Sequence, residues 1–149
     1  MSRLGAVVAA VAAAVCAGCG TSIKVWPSTT AKPGEVHSAY LVMHNATPND
    51  MDLKMQDALN AQHLTVTSGT SESGGNVDLV VKFDDHWRWD VAMYLAVLRL
   101  ELVDGHSGAL LATSQWSDGA MHGYRDSAKA CKELVAETFR QTGIPTTEK

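Results

Sequence analysis

The stretch LELVDGHSGALLATSQW, residues 100–116, sets the fold class. Leu100 and Leu102 alternate with Glu101, the turn-forming run DGHSG follows, and ALLATSQW returns with a second β-rich arm. A period of two on either side of a Gly-rich turn predicts a β-hairpin. Upstream, VAMYLAVLRLELVD (residues 91–104) lengthens the first arm: Leu98, Leu100 and Leu102 point one way, Arg99 and Glu101 the other. The first half of that run, up to Val97, is apolar on both faces. Such a segment sits under a cover or forms a contact surface. Before it, VDLVVKF (residues 77–83) places Val77, Leu79, Val81 and Phe83 on one face and Asp78 and Lys82 on the other, a half-buried strand.

Two shorter runs, HSAYLVMHN (residues 37–45) and LTVTSG (residues 64–69), also read as strands. Between them Met51, Met55, Ala58 and Leu59 recur at helical spacing. Asn49 is placed to cap, with Asp52 three residues on, so an amphipathic helix is predicted over residues 50–62. A second helix is predicted over residues 126–141, with Ala128, Cys131, Leu134, Val135 and Phe139 on one stripe and Gly143 and Pro145 as stops. Cys131 on that stripe reads as a small core residue rather than a nucleophile. The expected fold is therefore α+β: a mostly antiparallel four- or five-stranded sheet with two helices packed on one face, a two-layer sandwich.

The chain has 149 residues, 46% of them hydrophobic and 19% charged, and a formal net charge of -4. That suits one globular domain and excludes the basic footprint of a nucleic-acid binder. Residues 1–18 differ from the rest. Arg3 gives a positive start, residues 6–15 are an unbroken apolar run, and small residues lead to Cys19. This is the pattern of a signal peptide, too short to span a bilayer, which needs about 20 apolar residues. After Cys19, GTSIKVWPSTTAKPGE is rich in Ser, Thr, Pro and Gly and reads as a flexible tether. The organisation expected is signal peptide 1–18, Cys19 and tether over 19–35, and a single domain over 36–145.

Cys16-Ala17-Gly18-Cys19 resembles the bacterial lipobox, with Cys16 standing where Leu is usual. The resemblance implies that Cys19 is diacylated and becomes the mature N-terminus, anchoring the protein to membrane by lipid. The absence of Asp at Gly20 and Thr21 points to the outer membrane, with the domain facing the periplasm. With a lipobox, a polar tether and a small α+β unit, the chain is similar to periplasm-facing envelope lipoproteins. These include the lipopolysaccharide-assembly lipoprotein, curli-secretion lipoproteins and lipoprotein activators of cell-wall synthases. That similarity implies a noncatalytic binding or accessory domain with an envelope protein or polymer as partner, and no cofactor.

One stretch is dense in chemistry: FDDHWRWD, residues 83–90, expected to join the end of one strand to the start of the next. Asp84, Asp85 and His86 could serve a metal site or an acid–base pair in a periplasmic hydrolase. Neighbouring residues of an extended chain point to opposite faces, however, and no HExxH or CxxC pattern accompanies them. Trp87 and Trp89, two residues apart, are expected to share a face, with Arg88 opposite and Tyr94 joining them from the partner strand. Either the tryptophans close the edge of the core, or the four residues form an aromatic recognition patch. GTSESGG (residues 69–75) is read as a loop and not a phosphate cradle, lacking a following Lys-Ser/Thr and carrying Glu72. Asn45-Ala46-Thr47 is a formal glycosylation sequon, discounted because Pro48 follows and the lipobox is bacterial.

Overall fold

The computed structural model describes residues 20–44, 50–72, 74–119 and 123–145. The signal segment, Cys19, the sequon and Asn49 lie outside the described residues. The elements are β1 Ser22–Pro27, β2 Ser38–Val42, α1 Met51–Asn60, β3 Thr65–Gly69, β4 Leu79–Trp89, β5 Met93–Asp104, β6 Leu110–Ser117 and α2 Ser127–Thr142.

The strands form one sheet in the order β1-β6-β5-β4-β2-β3. The fold is α+β as expected, with six strands rather than four or five, and the sheet is mixed. The pairs β1/β6, β5/β6 and β4/β5 are antiparallel, whereas β2/β3 and β2/β4 are parallel. The parallel pair follows from α1: a helix between two neighbouring strands returns the chain to its starting edge, so the second strand runs in the direction of the first.

The sixth strand is β1, which lies inside the segment expected to be a tether. Residues 22–27 pair along their whole length with β6, from Ser22↔Ser117 to Pro27↔Ala112. Ile23 and Val25 are half-buried on the helix side, and Trp26 projects from the other face. Pro27 is tolerated because β1 is an edge strand whose outer hydrogen-bonding side is unpaired. Residues 22–27, expected to belong to the tether, are therefore part of the sheet.

The core lies between the sheet and the two helices. Leu79, Val81, Leu98, Leu100 and Leu102 meet Met51, Met55 and Leu59 of α1 and Cys131, Leu134 and Val135 of α2, all fully buried. At ~25 cal/mol per Å2 of apolar surface, each such side chain contributes about 1.5–3 kcal/mol of transfer free energy. The Met stripe of α1 is thus core. Its start is not the expected capping box: Asp50 holds the N-cap in a left-handed conformation with no side-chain cap bond, and Asp52 Oδ1 accepts from His44 N at 3.3 Å. In α2 the Asp126 side chain accepts from Ala128 N at 3.0 Å, and Gly143 closes the C-terminus at φ 65°. Inside the core, Ser114 and Thr138 exchange a hydrogen bond of 2.7 Å, so both buried hydroxyls are satisfied.

The opposite face of the sheet is left open by the helices. It carries a small second cluster of Val42, Val77 and Val80, flanked by Tyr40 and Val103. The loop after β3 lies on Tyr40 so tightly that a Cβ on Gly74 would fall 2.2 Å from the Tyr40 Cβ. The DGHSG turn forms where the sequence places it. Asp104 Oδ1 accepts from His106 N, Ser107 N and Ser107 Oγ at 3.1, 2.7 and 2.7 Å.

Candidate functional site

The stretch FDDHWRW is strand, not connection. β4 runs unbroken from Leu79 to Trp89, and only Asp90, Val91 and Ala92 form the turn into β5. The turn is closed by Asp90 N donating to Ala92 O at 3.2 Å. Beyond Val81 the strand loses its neighbour β2, whose pairing ends at Leu41↔Val81, and keeps only β5. There the open-face residues Asp84, His86 and Arg88 are exposed and the helix-side residues Asp85 and Trp87 only half-buried, which is why the sequence resembled a loop.

Strand alternation then sorts the chemistry. Asp84 and His86 pair with Arg99 and Val97 on the open face, with an Asp84–Arg99 contact of 3.7 Å. Asp85 faces the helices and accepts from Trp87 Nε1. The three residues of the metal or hydrolase reading thus point to different sides, and among the described residues no set of three His, Cys, Asp or Glu side chains gathers as metal ligands. The thiol of Cys131 is also unsuited to nucleophilic work: burial pushes it up to about 12.

The four aromatic-patch residues are likewise divided. Trp87 pairs with Leu95 and packs, half-buried, against the core; Trp89 pairs with Met93 on the same side but beyond it. Arg88 pairs with Tyr94, so Tyr94 shares the face of Arg88 and not that of the tryptophans. The register slips between His86 and Trp87, where Ala96 of β5 has no partner. This bulge sets the turn of the hairpin relative to the rest of the sheet. Tyr94 meets Tyr124 edge-on, ring centres 6.0 Å apart.

What the hairpin does gather is an apolar tip. Trp89 is 72% exposed, Val91 83% and Met93 48%, three large apolar side chains within five residues. The sequence placed Val91 at the start of a strand whose first half either lies under a cover or forms a contact surface; the structure puts it in the turn instead, before β5 begins at Met93. A single rung, Ser22–Ser117–Val97–His86, crosses four strands just below this tip. Gly20 continues in the same direction past that rung, its carbonyl lying 2.6 Å from where a Cβ on Gly119 would stand. The described chain thus begins, at Gly20, at the end of the sheet from which the hairpin projects.

A second feature lies nearby. Trp116, fully buried, lines a cleft of about 270 Å3 with Tyr124, Arg125 and Lys129, and its Nε1 has no hydrogen-bond partner among the described residues. Arg125 Nε stands 3.7 Å from the Asp118 carboxylate, which supplies part of the local charge balance.

The architecture is a two-layer α+β domain: a six-stranded mixed sheet, two helices on one face, and an overhanging β4–β5 hairpin. Among solved structures it is similar to the PelC dodecamer from Paraburkholderia phytofirmans, with a TM-score of 0.55 at 13% identity, covering 83% of this chain and 98% of that one. TolB from Acinetobacter baumannii aligns with a TM-score of 0.47 at 15% identity over 84% of this chain and 32% of that one. A minor lipoprotein from Acinetobacter baumannii reaches 0.34 at 11% identity over 78% of this chain and all of the other. The likeness to PelC is one of fold; the other two are too distant to assign one. No family model matches the chain, and no curated protein matches its sequence.

Proposed function

We propose that this chain is a lipid-anchored bacterial envelope protein whose domain works by binding, as an accessory part of an envelope assembly or transport complex. The observation that carries the reading is the position of the lipobox cysteine. Cys19 stands three residues before a strand built into the sheet, so acylation there ties the folded domain itself to the membrane. Two or more acyl chains give a durable anchor where one holds only marginally. Among the described residues no helix is long and apolar enough to cross a membrane, so the lipid is the anchor this reading requires. The PelC-like fold supports an accessory role, because that neighbour is itself built into a dodecamer. The separation of Asp84 and His86 from Asp85 favours binding over metal or hydrolytic chemistry. Gly20 and Thr21 favour the outer membrane, with the domain in the periplasm and an envelope protein or polymer as partner.

The test is metabolic acyl labelling of the full chain beside its Cys19→Ala variant. Palmitate label and membrane retention are expected in the first and absent in the second. Retention of the processed Cys19→Ala protein in the membrane pellet, or wild-type protein without label, would overturn the reading.

A further inference from the structure

We infer that the β4–β5 tip, Trp89, Val91 and Met93, is a second membrane contact that seats in the lipid interface beside the acylated N-terminus. The inference rests on the lipid-anchor reading for its geometry but uses residues that reading does not. From the rung at His86, the tip extends four residues, about 13 Å at ~3.3 Å per residue. From Ser22 on the same rung the chain leads towards the tip as far as Gly20, and covalent length alone keeps Cys19, three residues from Ser22, within about 10 Å of it. The anchor is thus held within about 10 Å of the rung, against about 13 Å for the tip. Laterally they are three strand spacings apart, about 14 Å. With so little chain between lipid and strand, the domain cannot stand far off the bilayer, and this end of the sheet is the end that faces it.

The side chains suit that position. Trp favours the headgroup level, where an apolar ring and an indole N–H are both accommodated, and Val91 at the turn and Met93 beside Trp89 supply apolar area for the acyl boundary. Asp90 N donates to Ala92 O across the turn, and the exposed Asp90 carboxylate keeps the tip at the headgroup level rather than in the acyl core. Arg88 and the Tyr94–Tyr124 pair lie on the flank, where a cation and two phenols meet headgroups. Trp26 and Leu110, the exposed apolar side chains of the opposite half of the sheet, are not concentrated in this way.

The experiment reconstitutes the mature lipidated protein into phosphatidylethanolamine–phosphatidylglycerol vesicles containing lipids with a nitroxide high on the acyl chain. The emission of Trp89, taken as the difference between wild type and Trp89→Phe, is expected to fall about two-fold or more, as for a ring at the interface. The corresponding Trp26 difference should not change. In parallel, the unlipidated Cys19→Ala chain, which no longer pellets with membranes, should keep only a weak partition onto vesicles at large lipid excess, and that partition should fall about ten-fold on adding Val91→Ser, the effect of losing one buried valine. An unquenched Trp89 in an anchored, labelled protein would overturn the tip contact and leave the lipoprotein reading intact. Absence of acyl label with the Val91→Ser effect preserved would do the reverse. If wild type self-associates in the absence of vesicles and Val91→Ser dissolves that association, the tip is a contact between copies and the membrane proposal fails.

Discussion

Asp78 ties together three segments that are remote in sequence. Its Oδ2 accepts from His37 N at 3.0 Å, Ser38 N at 2.9 Å and Ser38 Oγ at 2.8 Å, and its Oδ1 lies 3.3 Å from His106 Nε2 in the β5–β6 turn. The His37 amide foremost, then the Ser38 hydroxyl, hold this carboxyl down from 3.8 to about 2. At ~1.36 kcal/mol per pH unit that is about 2.4 kcal/mol, and because the side chain keeps 27% of its exposure, solvent screening reduces the net to about 1–2 kcal/mol. The sign follows from linkage: a folded value below the unfolded one stabilises the fold above pH ~4 and is lost as pH falls towards ~2. Asp78→Asn, which keeps an acceptor but no charge, should be less stable than wild type by about 1–2 kcal/mol at pH 7, with about half of that gap gone at pH 3. Urea unfolding followed by tryptophan fluorescence at both pH values measures this. Glu137, held down to about 2 by Arg140 and Gln141, titrates in both proteins and cancels. Equal stability at pH 7, or a gap that does not narrow at pH 3, would refute the account.

Two further outcomes follow from burial. Trp87→Ala should cost about 2–3 kcal/mol because its ring packs on the core, whereas Trp89→Ala should change stability by no more than ~0.5 kcal/mol; similar costs in urea titrations would mean the hairpin is not placed as described. Native Cys131 should resist alkylation at pH 8 and react only on unfolding, since burial both raises its thiol and closes access; rapid labelling of the folded protein would contradict the packing of α2.

The elements legible in the sequence are those with one buried face. Leu98, Leu100 and Leu102 alternate because one side of β5 meets the helices, and Met51, Met55, Ala58 and Leu59 recur at helical spacing because one side of α1 meets the sheet. The Asp104–Gly108 turn was legible because its residues bond locally. Strand β1 was not, because an edge strand half-exposed on both faces needs little hydrophobicity, and SIKVWP carries the composition of a linker. The overhang of β4 was hidden for a related reason: beyond Phe83 its helix side is only partly covered, so Asp85 stands between Phe83 and Trp87 and interrupts the apolar period.

Local pattern alone thus determined the α+β class, both helices and the β5–β6 hairpin, since periodicity records which face of an element is dry. The pairing partners were decided only by the tertiary structure: β1 on β6, β2 parallel to both β3 and β4, Tyr94 opposite Arg88 rather than beside the tryptophans. Those are long-range choices, made by backbone hydrogen bonds that every residue can offer alike. The same pairings bring Gly20 and the Trp89–Met93 tip to one end of the sheet, a juxtaposition of residues about 70 apart in the chain that no local period encodes.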